Sequence, residues 1–254
     1  MRWDPIQYGR YAGERSRPFF ELVARVDCAA PEAVVDLGCG SGELTTALAD
    51  RWPEALVRGI DSSAEMIDRA PTDGAVQFSV GAAESFSAQG VDVLVSNAAL
   101  QWVPTHRRLI VRWAGELNRG GWLAFQVPAN FDAPSHVLMR ELAESPPWRD
   151  RLGGVLRGTV STAPPIEYLE LLSDAGLDVD TWQTEYVHIL QGEDPVLDWV
   201  RGTGLRPALA ALSADDGARF SAEYGALLRE AYPRRSYGTA FPFRRTFVVA
   251  HRRD

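Results

Sequence analysis

The sequence predicts an α/β fold: a mostly parallel, seven-stranded sheet with helices on both faces and a helical cap. Three observations predict it. Short β-rich runs alternate with helical patterns through the first half of the chain, which is the rhythm of βαβ units. A run of closely spaced glycines, Gly38-Cys39-Gly40-Ser41-Gly42, lies directly between a predicted strand and a predicted helix. Two further strand patterns arrive late, interrupted by helical stretches that fall outside the βαβ rhythm.

The elements follow in order. Arg17 to Val26 reads as an amphipathic helix and Ala33–Leu37 as a buried strand. Glu43–Arg51 is a helix that stops before Pro53, and Ala55–Ile60 is the second strand. Ser63 caps a short helix over Ala64–Ala70, with Glu65 in its first turn. Val76–Val80 and Val91–Ser96 are the third and fourth strands, His106–Leu117 is a helix, and Trp122–Val127 follows the Gly120-Gly121 turn as the fifth strand. Beyond it the chain carries a helical pattern at Val137–Ala143, a helix at Ile166–Asp174 ended by Gly176, and an alternating strand at Val179–Leu190. A helical stretch spans Asp194–Tyr232, and Arg244–Ala250 closes the sheet. The chain is expected to form a single domain over 1–254, with cap insertions at about 131–165 and 193–236 over the carboxyl ends of the strands, where open α/β sheets bind ligands.

Composition narrows the chemistry. The chain has 254 residues, 46% of them hydrophobic, enough for a sizeable core. Its formal net charge is −8, which leaves no broad basic footprint for nucleic acid. All 26 basic residues are arginine; with no lysine, Schiff-base chemistry and a P-loop lysine are excluded, and anions must be met by Arg, His, hydroxyls or backbone amides. Cys28 and Cys39 form no CxxC pair, and no signal core or long apolar run is present, so a cytoplasmic location away from membranes is expected. His106, His136, His188 and His251 are dispersed without metal-ligand spacing, and no metal is expected.

The strongest local signal is Asp36-Leu37-Gly38-Cys39-Gly40-Ser41-Gly42. Alternate glycines let the backbone turn tightly and approach a ligand without a Cβ in the way. A dinucleotide fingerprint needs glycine at position 43, which is Glu43 here, and an acid at the helix start repels a pyrophosphate. A ligand with an amino-acid end and no phosphate fits better, as S-adenosylmethionine does. Asp61, ending the second strand in Gly59-Ile60-Asp61-Ser62-Ser63, is placed to accept both ribose hydroxyls; a turn or capping role is the alternative for it.

Asp36 to Gly42, Asp61 and Val91 to Asn97 resemble the strand ends of the Rossmann-like class I methyltransferases. The resemblance implies that the glycine loop cradles the methionine end of S-adenosylmethionine and that Asp61, with Ser62, holds the ribose. It also implies that Ala83 and Glu84 meet the adenine, and that Asn97 borders the cofactor. Where that family often has Gly-Asp-Ala-Glu, this chain has Gly81-Ala82-Ala83-Glu84. The acid that usually takes the adenine amino group is therefore missing at Ala82, leaving the Ala83 backbone and Glu84.

More narrowly, Asp4-Pro5 with Tyr8, Glu14 to Pro18, Asn97 to Trp102, His136 to Glu141, Asp198 to Val200 and Thr203-Gly204-Leu205-Arg206-Pro207 are similar to the trans-aconitate 2-methyltransferases. The similarity runs from end to end, cap included. It implies methyl-ester formation on a small polycarboxylate by an S-adenosylmethionine-dependent O-methyltransferase, and a monomer or weak homodimer. A carboxylic acid with a pKa near 4 is ionised at pH 7, so no catalytic base is expected. The candidate substrate-binding residues are Tyr8, Tyr11, Arg15, Arg17, Gln101, Trp102, His136, Trp199 and Arg206. All but Arg206 also have an ordinary role open to them: surface solvation for Arg15 and Arg17, packing for Tyr8, Tyr11, Gln101, Trp102 and Trp199, capping or packing for His136. Arg244 and Arg245 are neighbours on a strand, so only one of them points towards the site. The alternatives are a methyltransferase for another small-molecule acid and a non-catalytic S-adenosylmethionine-binding module. An NAD-linked oxidoreductase is disfavoured by Glu43 and the absence of lysine.

Overall fold

The computed structural model describes residues 12–72, 74–156 and 162–253, with side chains from residue 16 onward. Seven strands form one sheet: β1 (Ala33–Leu37), β2 (Leu56–Asp61), β3 (Gln77–Val80), β4 (Val93–Asn97), β5 (Trp122–Pro128), β6 (Leu177–Leu190) and β7 (Thr239–Arg252). Their order is β3-β2-β1-β4-β5-β7-β6. β1 to β5 run parallel, while β7 is antiparallel to both β5 and β6. The chain winds outward from β1 to β3 and then restarts on the other side of β1 with β4. The crevice above β1 and β4 is thus the switch point where such sheets take ligands.

The central parallel strands β1, β4 and β5 are buried on both faces, as a sheet covered on both sides requires, while the edge strand β3 is largely exposed. Val34, Val93, Val95, Ala124 and Phe247 pack on one face with helices α1 (Ala12–Val23) and α2 (Glu43–Arg51). Val35, Leu94, Leu123 and Phe125 pack on the other with α4 (His106–Glu116) and α7 (Pro165–Asp174); the short α3 (Ala64–Ile67) follows β2. The expected cap of α3 is present: Ser63 Oγ accepts from the Met66 amide at 3.3 Å.

A third apolar cluster lies outside the βαβ units. It joins α5 (Pro134–Ala143), α6 (Arg149–Leu152), α8 (Pro195–Arg201), α9 (Arg206–Ala211) and α10 (Ala214–Ala231) to the ends of β6 and β7 through Trp148, Trp199, Phe220, Tyr224, Phe241 and Phe243.

The three largest departures from the expected elements are as follows. The first helix starts at Ala12 rather than Arg17 and carries Pro18 inside it. The stretch 194–232 is three helices rather than one, interrupted around Gly202 and at Leu212-Ser213, where Ser213 begins a new helix by accepting from the Asp216 amide at 3.2 Å. β7 begins at Thr239, five residues early. Pro242 is tolerated there because β5 pairs only with 245–251, so this part of β7 has a single neighbour and one side without a ladder bond to make. Among the described residues no helix is long and apolar enough to cross a membrane.

Candidate active site

The end of β1 delivers the chain into the glycine loop, and β2 braces that loop from below. The amides of Gly38 and Cys39 both donate to Ile60 O, at 2.7 and 3.1 Å. Gly38, Gly40 and Gly42 all have positive φ (83°, 59° and 78°), a region where side chains with a Cβ are strained. Two of the three are also packed tight. A Cβ on Gly38 would stand 2.2 Å from the Ala99 methyl, and one on Gly42 would stand 2.4 Å from the ring of Phe78. A Cβ on Gly40 would meet nothing within 4 Å, so the loop is packed against protein at Gly38 and Gly42 and open at the Gly40 Cβ position.

Two carboxylates flank this cradle. Asp36 is buried; Thr45 Oγ1 donates to its Oδ2 at 2.7 Å, and its Oδ1 has no hydrogen-bond partner among the described residues. Burial pushes this carboxyl up to about 6, the Thr45 hydroxyl opposes the rise, and the nearby Asp61 charge adds to it. Asp61 accepts from the Gly40 amide through Oδ2 at 2.9 Å and from the Ser63 amide through Oδ1 at 2.8 Å. The turn role weighed from sequence is therefore real, and each oxygen keeps a second lone pair for a ligand hydroxyl. An orphaned buried carboxylate oxygen and an unfilled glycine cradle fit a ligand with an ammonium and no phosphate.

The end of β4 forms the opposite wall. Ser96 Oγ donates to Leu37 O at 2.7 Å, locking β4 to β1, and Asn97 Oδ1 accepts from Gln126 Nε2 at 2.7 Å. Ala98 then adopts φ +54°, in the left-handed region that costs a non-glycine residue about 1 kcal/mol or more. Two bonds hold it there: its amide donates to Gln126 O at 3.0 Å, and the buried Gln101 side chain donates to its carbonyl at 2.6 Å.

Residues 35–125 match a methyltransferase-domain family model. The chain is 52% identical to trans-aconitate 2-methyltransferase of Streptomyces avermitilis, over 98% of this chain and 97% of the relative. It is 53% identical to that of Streptomyces coelicolor, over 98% of this chain and 86% of the relative. The chain belongs to the trans-aconitate 2-methyltransferase family. Its fold is also that of phosphoethanolamine N-methyltransferase 2 of Haemonchus contortus solved with S-adenosyl-L-methionine, at a TM-score of 0.54 and 14% identity, over 94% of this chain and 53% of that one.

Several of the residues expected from sequence follow the carboxyl ends of β2 to β5. Ser62 and Glu84 are exposed and Ala83 is half-buried; the Glu84 carbonyl accepts from Arg112 at 3.2 Å. Trp102 and His136 are half-buried. His136, on the first turn of α5, packs edge-on against Phe131 with ring centroids 5.5 Å apart. A Cβ on Gly204 would stand 3.5 Å from His136 Nε2, so the turn leading into Arg206 lies beside this imidazole. Arg206 is half-buried at the start of α9.

Other sequence candidates are placed differently. Arg17 is exposed, bonded to Glu21 Oε1 at 2.7 Å and set over the Tyr186 ring at 5.0 Å. Trp199 is buried in the cap core, stacked on His188 at 4.8 Å and against Phe243 at 5.6 Å. Tyr8 and Tyr11 lie outside the described residues, as does the side chain of Arg15. Of the adjacent pair on β7, Arg244 is engaged with Asp132, while Arg245 is buried, donates to Gln126 Oε1 at 3.1 Å and lies over the Phe243 ring at 4.8 Å.

Sequence reasoning missed Gln126, which joins Asn97 to Arg245 across three strands. A lone polar residue, fully buried within the apolar run Trp122–Pro128, was the available signal.

Proposed function

We propose that the chain is an S-adenosylmethionine-dependent O-methyltransferase that forms the monomethyl ester of trans-aconitate or a closely similar small polycarboxylate. The observation that carries the substrate reading is similarity of about half the residues over 98% of the chain, cap included, to enzymes of that name. The observation that supports the cofactor is the buried Asp36 Oδ1 beside the open cradle at Gly40.

In this reading Asp36 takes the ammonium, the loop amides take the carboxylate of the methionine end, and Asp61 with Ser62 takes the ribose. Ala83 and Glu84 border the adenine, and Asn97 borders the methionine side. S-adenosylmethionine supplies an electrophilic methyl group on a sulfonium when bound. The protein has no proton to remove, because the accepting carboxylate is already ionised at neutral pH. Its tasks are to orient that carboxylate and to exclude water from it, both large contributors to rate. Gln101 fixes the strained turn at Ala98, Trp102 and His136 wall the substrate side, and Arg206 meets a carboxylate that does not react. Tyr8, Tyr11 and Arg15 remain candidates on the N-terminal segment. Trp199 supports the cap, and Arg17 acts through Glu21 and Tyr186 rather than on substrate.

The test is methyl transfer from methyl-labelled S-adenosylmethionine to trans-aconitate, cis-aconitate, citrate, isopropylmalate and a fatty acid. Ester formation on trans-aconitate well above the others is expected. Methylation of the fatty acid alone would remove the polycarboxylate reading and keep the cofactor.

A further inference from the structure

The helix α5 buries Ser135, Met139 and Ala143 in the cap core. The adjacent stripe of the same helix carries His136 and, one turn later, Arg140. Arg140 reaches back to the segment leaving β5, where its Nη2 donates to Phe131 O at 2.6 Å. Its Nη1 is buried and has no acceptor among the described residues. An unpaired buried donor is costly, and a charged one more so, unless a ligand completes it.

We propose that Arg140 is a specificity-determining residue that holds a terminal, non-reacting carboxylate of the substrate through this Nη1. The inference rests on the polycarboxylate reading above. Phe131 O fixes one arm of the guanidinium fork, so the other is presented without a further loss of side-chain freedom. The neighbourhood suits the role: Phe131 and His136 are in ring contact, and the turn before Arg206 abuts His136. The nearby acid Asp132 is already engaged by Arg244, which lowers its carboxyl pKa through their hydrogen bond. Arg140 also borders a cavity of about 350 Å³ lined by Glu141 and Glu144. Two carboxylates among its lining residues make that cavity a poor anion site.

The test pairs the residue with the carboxylate. Arg140→Gln and Arg140→Lys are assayed on trans-aconitate and on two diacids that each lack one of its terminal carboxylates, mesaconate and itaconate. The diacids are read as substrates, or as competitive inhibitors where turnover is absent. On trans-aconitate, Arg140→Gln is expected to lower kcat/KM by about 10- to 100-fold, chiefly through KM, with part recovered in Arg140→Lys. On the diacid missing the carboxylate that Arg140 holds, the same substitution costs no more than about 2-fold, and S-adenosylhomocysteine affinity is unchanged. Equal losses on all three acids would make Arg140 a prop for Phe131 and overturn the proposal, as would no loss on any. If the unaltered chain binds S-adenosylhomocysteine but methylates none of the acids, the polycarboxylate reading falls and takes this one with it. An active parent with a fully active Arg140→Gln overturns this inference alone. Should Arg140→Gln not fold, Arg140→Met and Arg140→Lys provide the same comparison among the three acids.

Discussion

Replacing Asp36 with Asn should stabilise the protein and weaken its hold on the cofactor. Below pH 3.8 the Asp36 carboxyl is protonated whether the chain is folded or not. Between 3.8 and about 6 the folded chain retains a proton that the unfolded chain has released, so stability falls as pH rises through this window. Above about 6 the whole cost of a buried carboxylate is carried. At about 1.4 kcal/mol per pH unit, that cost is roughly 3 kcal/mol. Asparagine has no charge to bury and keeps an oxygen for Thr45 Oγ1, so at pH 8 Asp36→Asn should gain up to about 3 kcal/mol. For a chain of this size that raises Tm by roughly 6–12 °C, and the gain should vanish near pH 3.5. The lost ammonium contact should weaken S-adenosylhomocysteine about 10- to 100-fold at pH 8. In the unaltered protein the Kd should rise about fivefold from pH 6 to 5, while in Asp36→Asn it stays flat. Thermal melts across pH, with calorimetric titration of S-adenosylhomocysteine, measure both effects. A variant that melts lower at pH 8, or binds as tightly as its parent, would refute the assignment of Asp36.

Gly38→Ala forces a Cβ to 2.2 Å from the Ala99 methyl at a φ of +83° and should cost roughly 3 kcal/mol or more in urea unfolding; adding Ala99→Gly should return the part due to the clash and not the part due to φ. Arg206→Glu should raise the KM for trans-aconitate at least about tenfold and leave the Kd for S-adenosylhomocysteine unchanged; an unmoved KM would take Arg206 out of the substrate site.

How much of this was readable without coordinates depended on how far apart the interacting residues lie. The glycine loop and Asp61 are local. Their chemistry is set by alternating glycines, by a strand before and a helix after, and by a strand-end acid, and β1 and α2 occupy the residues expected of them. The Arg17–Glu21 pair was also open to reading, since residues four apart on a helix face one another. Trp199 was not. A tryptophan that walls a pocket and one that fills a core look alike in sequence, and His188, Phe241 and Phe243, which decide the matter, come from the strands β6 and β7. Gln126 has the same difficulty: its polarity is visible, but its partners Asn97 and Arg245 are 29 and 119 residues away. The orphaned N–H of Arg140 exists only once the cap has folded over the exit of β5.

The distribution of arginines explains how an acidic chain can receive a polyanion. Many cations are paired at the surface, among them Arg107 with Glu167, Arg151 with Asp216, Arg229 with Asp194 and Arg253 with Asp178. Exposed pairs of this kind add little stability and are screened by salt, and at a distance each pair is nearly neutral. Arg245 is buried where β7 meets the carboxyl end of β5, and its contacts include the Gln126 oxygen and the face of Phe243. The same Gln126 side chain donates to Asn97 at the cofactor wall. A hydrogen-bonded row therefore runs from the cofactor side of the crevice to a buried cation, and Arg140 and Arg206 approach the neighbouring Phe131–His136 corner from the cap. In the proposed reading the sheet supplies the cofactor cradle, and Arg140 and Arg206 of the cap would meet the carboxylates of the acid that do not react.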